Sequence, residues 1–513
     1  MVWKLDAPQG NEARKVRLDV LPYLHHGLDL GCAPAKVWPH LIGIDSTKAT
    51  RSFGIEMKPD MILPTVARLR PFADGSMQCV FSSFTLDQIP DYRAALAEWW
   101  RVIEPCGYLV LYLPHADFYP RAGQPEADPD HVHDFLPEDI RHAMQNIAPD
   151  WALLVNESRT ENDEYSFLQV YRKDPAGAGQ RGPYLDALPE KRAAIVRVGG
   201  NGDALWASSP AWHLKQQGYH VTVYTAHNGA EMLRHDPNID RVVSLPNNAM
   251  TDDDLRAYWC HEAVKYERFH NLIGSVEKTL LFHDSDDGYW HPPKLRHLLS
   301  NRNYLDQVHT YCDVPQKPKM QRFYAAPLEA QWAAAMRDKL PGPLVVIAPA
   351  GSGVVKYWPH SQRLMELLAE RGVYSVVLGD VRDPAVIGIE PYGSVIGMEW
   401  PVRHACAFAQ LADAVVATES LIANAVAFAP MLKLITLSHS SNENLTRDWP
   451  NCAAIEPQGV SCHPCHRIHG NFQFCARDET TGAAACQATV TADTVAAFLF
   501  ERLGTEAREA AHA

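Results

Sequence analysis

The stretch Ala193–Lys215, AAIVRVGGNGDALWASSPAWHLK, decides the fold. AAIVRV (193–198) is a short apolar run with Ile and Val, bounded by glycines, which is the pattern of a buried strand. GGNGD (199–203) is a tight glycine turn. ALWASSPAWHLKQQ (204–217) reads as a helix whose early part Pro210 breaks or kinks. Strand, glycine turn and helix start form a cradle in which backbone N–H groups face an anion or a sugar oxygen. One carboxylate, Asp203, stands at its mouth, where it is either a reactive group or a helix cap. The glycine spacing is not GxGxxG, so this is not the dinucleotide fingerprint.

Working outward, the chain of 513 residues is too long for one domain. A hydrophobic content of 46% and a charged content of 21% are ordinary for a soluble globular protein. The net charge of −14 gives no bulk basic face for nucleic acid. No apolar run approaches the length of a membrane span and no charged-then-apolar leader opens the chain, so a cytoplasmic location is expected. DPAGAGQRGPYLDALPE (174–190) lacks helical or strand periodicity and reads as a linker. One run of alternating strands and helices precedes it. Two follow it, divided near PLEAQWAAAMRDKLPGP (327–343), and the alternation predicts three α/β units built on parallel sheets. The boundaries are 1–173, linker 174–190, 191–326 and 327–505, with a frayed tail after Gly504.

Arg197, Gly199, Gly202 and Asp203 match R-x-G-x-x-G-D, the opening pattern of the family 9 glycosyltransferases. The stretch resembles this heptosyltransferase family, which has the GT-B fold of two Rossmann-like domains. The resemblance implies that Asp203 is the general base on an acceptor hydroxyl and that Gly199 and Gly202 lie at the donor. YHVTVYTA (219–226) and IDRVVSLP (239–246) continue the pattern as strands. HDSDDGYWHPPKLRHLLSNRNYLDQVHTYCDVP (283–315), rich in His, Asp and aromatics, reads either as an acceptor-binding loop or as a solvated helical surface.

In PLVVIAPAGSGVVKYWPHSQRLMELLAERGVYSVVLGD (343–380), Lys356, Trp358 and Pro359 match the family's K-x-W-P. A cation there would offset the charge growing on a leaving diphosphate. AVVAT (414–418) is followed by Glu419-Ser420-Leu421-Ile422-Ala423-Asn424-Ala425, where the family carries D-[ST]-G-x-x-H-x-A. Glu replaces Asp, Leu replaces Gly and Asn replaces His. By the resemblance Glu419, Ser420 and Asn424 would still bind the donor. After the strand in LKLITLSHSSNEN (432–444), the polar loop with His439, Ser440 and Asn442 lies where ligands bind beyond strand carboxyl ends.

The first unit resembles the class I S-adenosylmethionine-dependent methyltransferases. HGLDLGCAPAK (26–36), HLIGIDS (40–46), QCVFSSF, YRAALAEWWRVIEP (92–105) and CGYLVLYLPH (106–115) follow that family's order of strands and helix. Asp29 and Gly31 match its acidic-x-G-x-G turn, and Asp45 matches the acid that bonds the ribose hydroxyls. The resemblance implies S-adenosyl-L-methionine as cofactor, although the turn reads GCAP (31–34) and LDQ (86–88) stands for the usual LEH. His115 and His133 read as loop histidines, and no methyl-transfer base is assigned.

CHPCHRIHGNFQFCARDETTGAAAC (462–486) places Cys462, Cys465, Cys475 and Cys486 with three histidines in a short segment. Four sulfurs suit a structural tetrahedral zinc, but a second CxxC pair is missing, so a disulfide and plain thiols remain open. The expected whole is an α/β chain, a Rossmann-like methyltransferase domain followed by a GT-B pair. Its expected reaction is inverting transfer of a sugar from a nucleotide-diphosphate donor to a saccharide or other hydroxyl acceptor. A sugar-nucleotide epimerase, or a glycan-binding module serving the methyltransferase, are the alternatives.

Overall fold

The computed structural model describes residues 12–32, 35–46, 51–52, 55–56, 59–161, 163–173, 180–181, 189–246, 250–340, 342–379, 395–396 and 400–503. Most of the linker 174–190, Ala33 and Pro34 of the GCAP turn, and the tail from Gly504 lie outside them. The chain divides into two compact units, Met1–Pro189 with Leu245–Glu262, and Glu190–Ser244 with Ala263–Ala513.

The first unit is built on an eight-stranded sheet. Its strands are β1 (Gly27–Leu30), β2 (Ile42–Ser46), β3 (Met61–Leu63), β4 (Met77–Ser83), β5 (Ile103–Pro114), β6 (Trp151–Arg159), β7 (Ser166–Lys173) and β8 (Gln180–Arg181). Their order is β8-β6-β7-β5-β4-β1-β2-β3. All neighbours run parallel except β7, which is antiparallel to both β5 and β6. From β1 the chain moves outward to β3 and returns to β4 on the other side of β1. The strand order therefore reverses between β1 and β4, and the crevice outside their carboxyl ends is where such sheets bind ligands. Leu28, Leu30, Ile44, Val80, Leu109 and Leu111 meet Trp99 and Leu96 of the amphipathic helix Tyr92–Val102 in the core.

Helix Asp252–Ala263, though it lies in the chain between strands of the second unit, joins the first almost entirely. Asp254 pairs with Arg17 at 2.9 Å and His261 Nε2 lies 2.8 Å from Asp19. Arg17 also covers the ring of Trp38, 3.7 Å from its centroid.

The second unit holds two sheets. The four-stranded one comprises β9 (Arg192–Val196), β10 (His220–Ala226), β11 (Arg241–Leu245) and β12 (Arg268–Asn271), in the order β11-β10-β9-β12. The six-stranded one comprises β13 (Leu344–Ala348), β14 (Tyr374–Val377), β15 (Val395–Ile396), β16 (Ala414–Thr418), β17 (Leu432–Thr436) and β18 (Cys452–Ile455), in the order β15-β14-β13-β16-β17-β18, all parallel. Ala193, Ile195 and Val221 of the smaller sheet share one continuous core with Val346, Val415 and Ile435 of the larger. A second core covers the other face of the larger sheet, where Trp358 is buried against the C-terminal helix Ala492–Leu503. Pro210 stands in a helical run that is broken, as its sequence suggests, into Asn201–Ala204, a 3-10 turn Leu205–Ala207 and Ser208–Gln216.

Candidate functional site

Four loops of the second unit, each leaving the carboxyl end of a parallel strand, enclose a cavity of about 570 Å³. That volume lies within the usual range for small-molecule sites, about 300–1,000 Å³. The turn after β9 gives Gly202 and Asp203, and the loop after β13 gives Ser352 and Lys356. The loop after β16 gives Glu419, Ser420 and Asn424, and the loop after β17 gives His439 and Ser440. Leu378, Trp400 and Val402 make one wall apolar. Gly199 and Asn442 are not in the lining. Asn442 is exposed, its amide N–H donating to Glu456 and its Oδ1 accepting from Thr446.

Asp203 is half-buried, and its Oδ2 accepts the Gly200 N–H at 3.0 Å. This closes the turn as a cap, while Oδ1 makes no hydrogen bond among the described residues. Burial pushes its carboxyl above the usual carboxylate range; Arg197 and Lys356 pull it down and Glu277 pushes it up. The Lys356 ammonium has neither an ion-pair nor a hydrogen-bond partner among the described residues, though the Asp203 and Glu419 carboxyls line the same cavity and feel its charge. The loop that carries it is held by Trp358, whose indole N–H donates to the Val490 carbonyl at 2.7 Å. The lysine of K-x-W-P thus faces the site, and the tryptophan anchors it.

Glu419 lines the cavity, and its carboxylate is bonded within the protein. Its Oε1 accepts the Ser438 and Ser440 N–H groups at 2.8 and 3.1 Å. Its Oε2 accepts the Ser438 hydroxyl at 3.1 Å and lies 2.9 Å from His439 Nε2. Burial opposes this charge, but His439, Lys356 and the Ser438 N–H hold the carboxyl well below the usual range. All four lone-pair directions are taken, so Glu419 clamps the loop after β17 and its carboxylate has none left for a ligand. Asn424 likewise works across the cleft. Its Oδ1 accepts from the Trp206 indole at 2.9 Å and from Gln321 at 3.0 Å, and its Nδ2 donates to the Ser420 carbonyl at 3.0 Å. A Cβ on Gly202 would stand 2.9 Å from Asn424 Nδ2, so the two loops meet where only glycine fits. The Ser420 hydroxyl caps the short helix Leu421–Val426. The segment 283–315 folds largely into helices Pro293–Ser300 and Tyr304–Tyr311. From it Tyr304 reaches the cavity wall and shares a 2.8 Å hydrogen bond with the Ser440 hydroxyl.

In the first unit, Asp29, Gly31 and Asp45 gather at the carboxyl ends of β1 and β2, where Asp29 registers with Gly43. Asp29 is 2% exposed. Its Oδ2 accepts the Val37 N–H at 2.7 Å, and burial raises its pKa to about 7. Gly31 has φ +68° and packs on Thr85, so a side chain there would meet both backbone strain and a clash. Asp45 Oδ1 accepts the Ser46 N–H at 2.7 Å. The sequence reading passed over His131, which is buried with Nδ1 2.9 Å from Asp87 and Nε2 3.1 Å from Asp134. His133 contacts the Ile89 carbonyl instead, as a loop histidine does.

The four cysteines of 462–486 do not form the expected ligand set. Among the described residues no three His, Cys, Asp or Glu side chains are arranged to hold a metal ion, and no disulfide joins them. Burial and the neighbouring thiols raise Cys465 to about 12 and Cys475 to about 11. The Cys465 sulfur lies 3.9 Å from the Arg467 carbonyl and 3.8 Å from His469 Nε2, and the Cys475 sulfur 3.8 Å from the Ala476 carbonyl. No described helix is long and apolar enough to cross a membrane.

Residues 28–111 match the family described as "Methyltransferase domain". No curated protein matches the chain. Among solved structures, the chain is similar to an ADP-heptose lipopolysaccharide heptosyltransferase II of E. coli, with 12% identity, 61% of this chain and 99% of that one covered, and a TM-score of 0.43. It is similar to a family 9 glycosyl transferase of Veillonella parvula, with 12% identity, 53% and 89% coverage and a TM-score of 0.41. A SAM-dependent methyltransferase of Thermotoga maritima shows 15% identity, 31% and 89% coverage and a TM-score of 0.25.

Proposed function

We propose that the second unit transfers a glycosyl group from a nucleoside-diphosphate sugar to an acceptor hydroxyl, with inversion at the anomeric carbon. The observation that carries this reading is one cavity with a carboxylate, Asp203, and an unpaired cation, Lys356, in its wall. Asp203 takes the proton of the acceptor hydroxyl as that oxygen attacks the anomeric carbon. The bond to the diphosphate breaks on the opposite face, and the single displacement inverts the centre. Negative charge grows on the departing diphosphate, and Lys356 offsets it. The hydroxyls of Ser420 and Ser440 and the ring of His439 complete the donor surface, with Glu419 fixing the loop that bears the last two. The apolar wall at Trp400 and Val402 suits the flat face of a nucleobase. On this reading residues 191–326 carry the acceptor side and 327–505 the donor side.

For the first unit we propose S-adenosyl-L-methionine as the ligand, with Gly31 at its methionine part and Asp45 at its ribose, and with Asp29 buried behind the turn, where it accepts the Val37 N–H. Gly31 packs directly on the Thr85 side chain, where a Cβ would clash, so the reading rests on Gly31 and Asp45 standing together at the carboxyl ends of β1 and β2. Bound there, the cofactor would supply an electrophilic methyl group.

The test is a panel of nucleoside-diphosphate sugars, ADP-heptose among them, incubated with the chain with and without saccharide acceptors and read by mass spectrometry. Nucleoside diphosphate released only with acceptor supports transfer. Interconversion of the sugar nucleotide without acceptor makes the unit an epimerase, and saccharide binding with no chemistry makes it a glycan-binding module.

A further inference from the structure

Arg197 is fully buried. Its guanidinium makes two bonds to Glu277, Nη2 to Oε1 at 2.5 Å and Nη1 to Oε2 at 3.1 Å. Its remaining donors reach the Leu272 carbonyl at 3.3 Å and, through Nε, the Asp203 carbonyl at 3.2 Å. The cation also sits over the Trp206 ring, 4.9 Å from the centroid. A buried ion pair of this kind is weak evidence for stability, because desolvation offsets most of its Coulomb gain. This one, however, ends on the backbone of the residue read above as the base. Glu277 lies 80 positions from Arg197 in the chain, beyond β12, so the contact is tertiary.

We propose that Arg197 and Glu277 are positioning residues for Asp203, fixing its turn and setting how readily its carboxylate takes a proton. The Arg197 Nε–H pins the Asp203 carbonyl, and the fork on Glu277 holds the guanidinium in place. The charges that face Asp203 are those of Arg197, Lys356 and Glu277. Arg197 and Lys356 alone would draw the carboxylate toward weak basicity. Glu277, bound to Arg197 on both oxygens, cancels one of these cations and leaves Asp203 basic enough to accept a proton. Glu277 therefore never touches the reacting atoms and acts through Arg197.

The proposal rests on the reading of Asp203 as the base, and the test separates the two. In the full chain, labelled with carbon-13 at aspartate carboxyl carbons, the Asp203 signal is the one missing from Asp203→Asn. Its titration midpoint falls by about one pH unit in Glu277→Gln, which leaves two cations unopposed, and rises by about as much in Arg197→Gln, which leaves Glu277 unopposed. A purely structural pair moves neither midpoint, or moves both the same way, and either result overturns the proposal. Arg197→Gln strands a buried carboxylate; if it does not fold, Glu277→Gln decides alone. If neither folds, the pair is a folding element and the assignment fails. Turnover is read alongside. Asp203→Asn with unchanged turnover removes the base whatever the titration shows. An inactive Asp203→Asn with unmoved midpoints removes only the role of the pair.

Discussion

Two strands of this chain end in a glycine turn beside an aspartate, and the two aspartates meet opposite fates. Asp29 lies within β1, is closed over by the chain, and accepts the Val37 N–H on one oxygen. Asp203 lies beyond the turn after β9, is only half-buried, and opens on a cavity. Both carboxyls are raised by burial and lowered by a nearby lysine, Lys36 for Asp29 and Lys356 for Asp203, but Asp203 and Lys356 together line a cavity. The same local device thus yields a packed acid in one unit and a reactive one in the other. What separates them is the number of loops that converge on the turn.

The strongest way to break this contrast is Asp203→Asn. Glycosyl transfer should fall by about 10²–10⁴-fold, the usual cost of losing a general base, while donor affinity measured by calorimetry stays near wild type. Turnover within threefold of wild type would make Asp203 a cap like any other. Lys356→Ala should weaken binding of a nucleoside diphosphate by about 10- to 100-fold, the worth of a charge-assisted contact. An unchanged isotherm would leave that cation a spectator.

On the other side of the contrast, Asp29 should govern stability rather than rate. Its folded pKa of about 7 exceeds its ordinary 3.8, so between those values the folded chain holds a proton that the unfolded chain has lost. The contribution of Asp29 to the stability of the first unit should therefore be greatest below about pH 4, fall as the pH rises to about 7, and level off beyond. Asp29→Asn should flatten that slope in thermal melts taken across this range. A wild-type slope in the variant would assign the dependence to other groups. The smallest effect is expected at Asp254→Asn, a partly exposed pair with Arg17, which should cost about 0.2–1 kcal/mol in chemical denaturation of the first unit.

Much of the cavity was legible in the chain because its walls are loops that directly follow strands. Strand, turn and motif are local, so Asp203, Lys356 and Ser420 could be found by pattern. The partners of those residues were not legible, because each comes from a remote segment. Glu277 meets Arg197, Tyr304 meets Ser440, and Gln321 meets Asn424, and nothing in the spacing of a single sequence encodes such meetings. Glu419 shows the same limit in reverse. Its motif marked it as a ligand residue, but the loop after β17 folds back and takes up its carboxylate. Ser440 and Asn442 are two positions apart in one loop, yet only Ser440 lines the cavity. The strand β18 carried no strong pattern and was found only in the sheet. The cysteines left metal, disulfide and plain thiols open, because composition counts sulfurs and says nothing of how they are arranged.

The helix Asp252–Ala263 has a consequence for how this protein is made. The first unit is not finished when its own stretch of chain ends at Pro189, because a part of it is encoded about 70 residues later. At about 5–20 residues per second, a ribosome needs several seconds to deliver that piece. Through this interval the nascent N-terminal sheet lacks the helix that carries Asp254 and His261. A gene cut at the linker would leave that vacancy permanent, so the two halves of this polypeptide are not interchangeable cassettes.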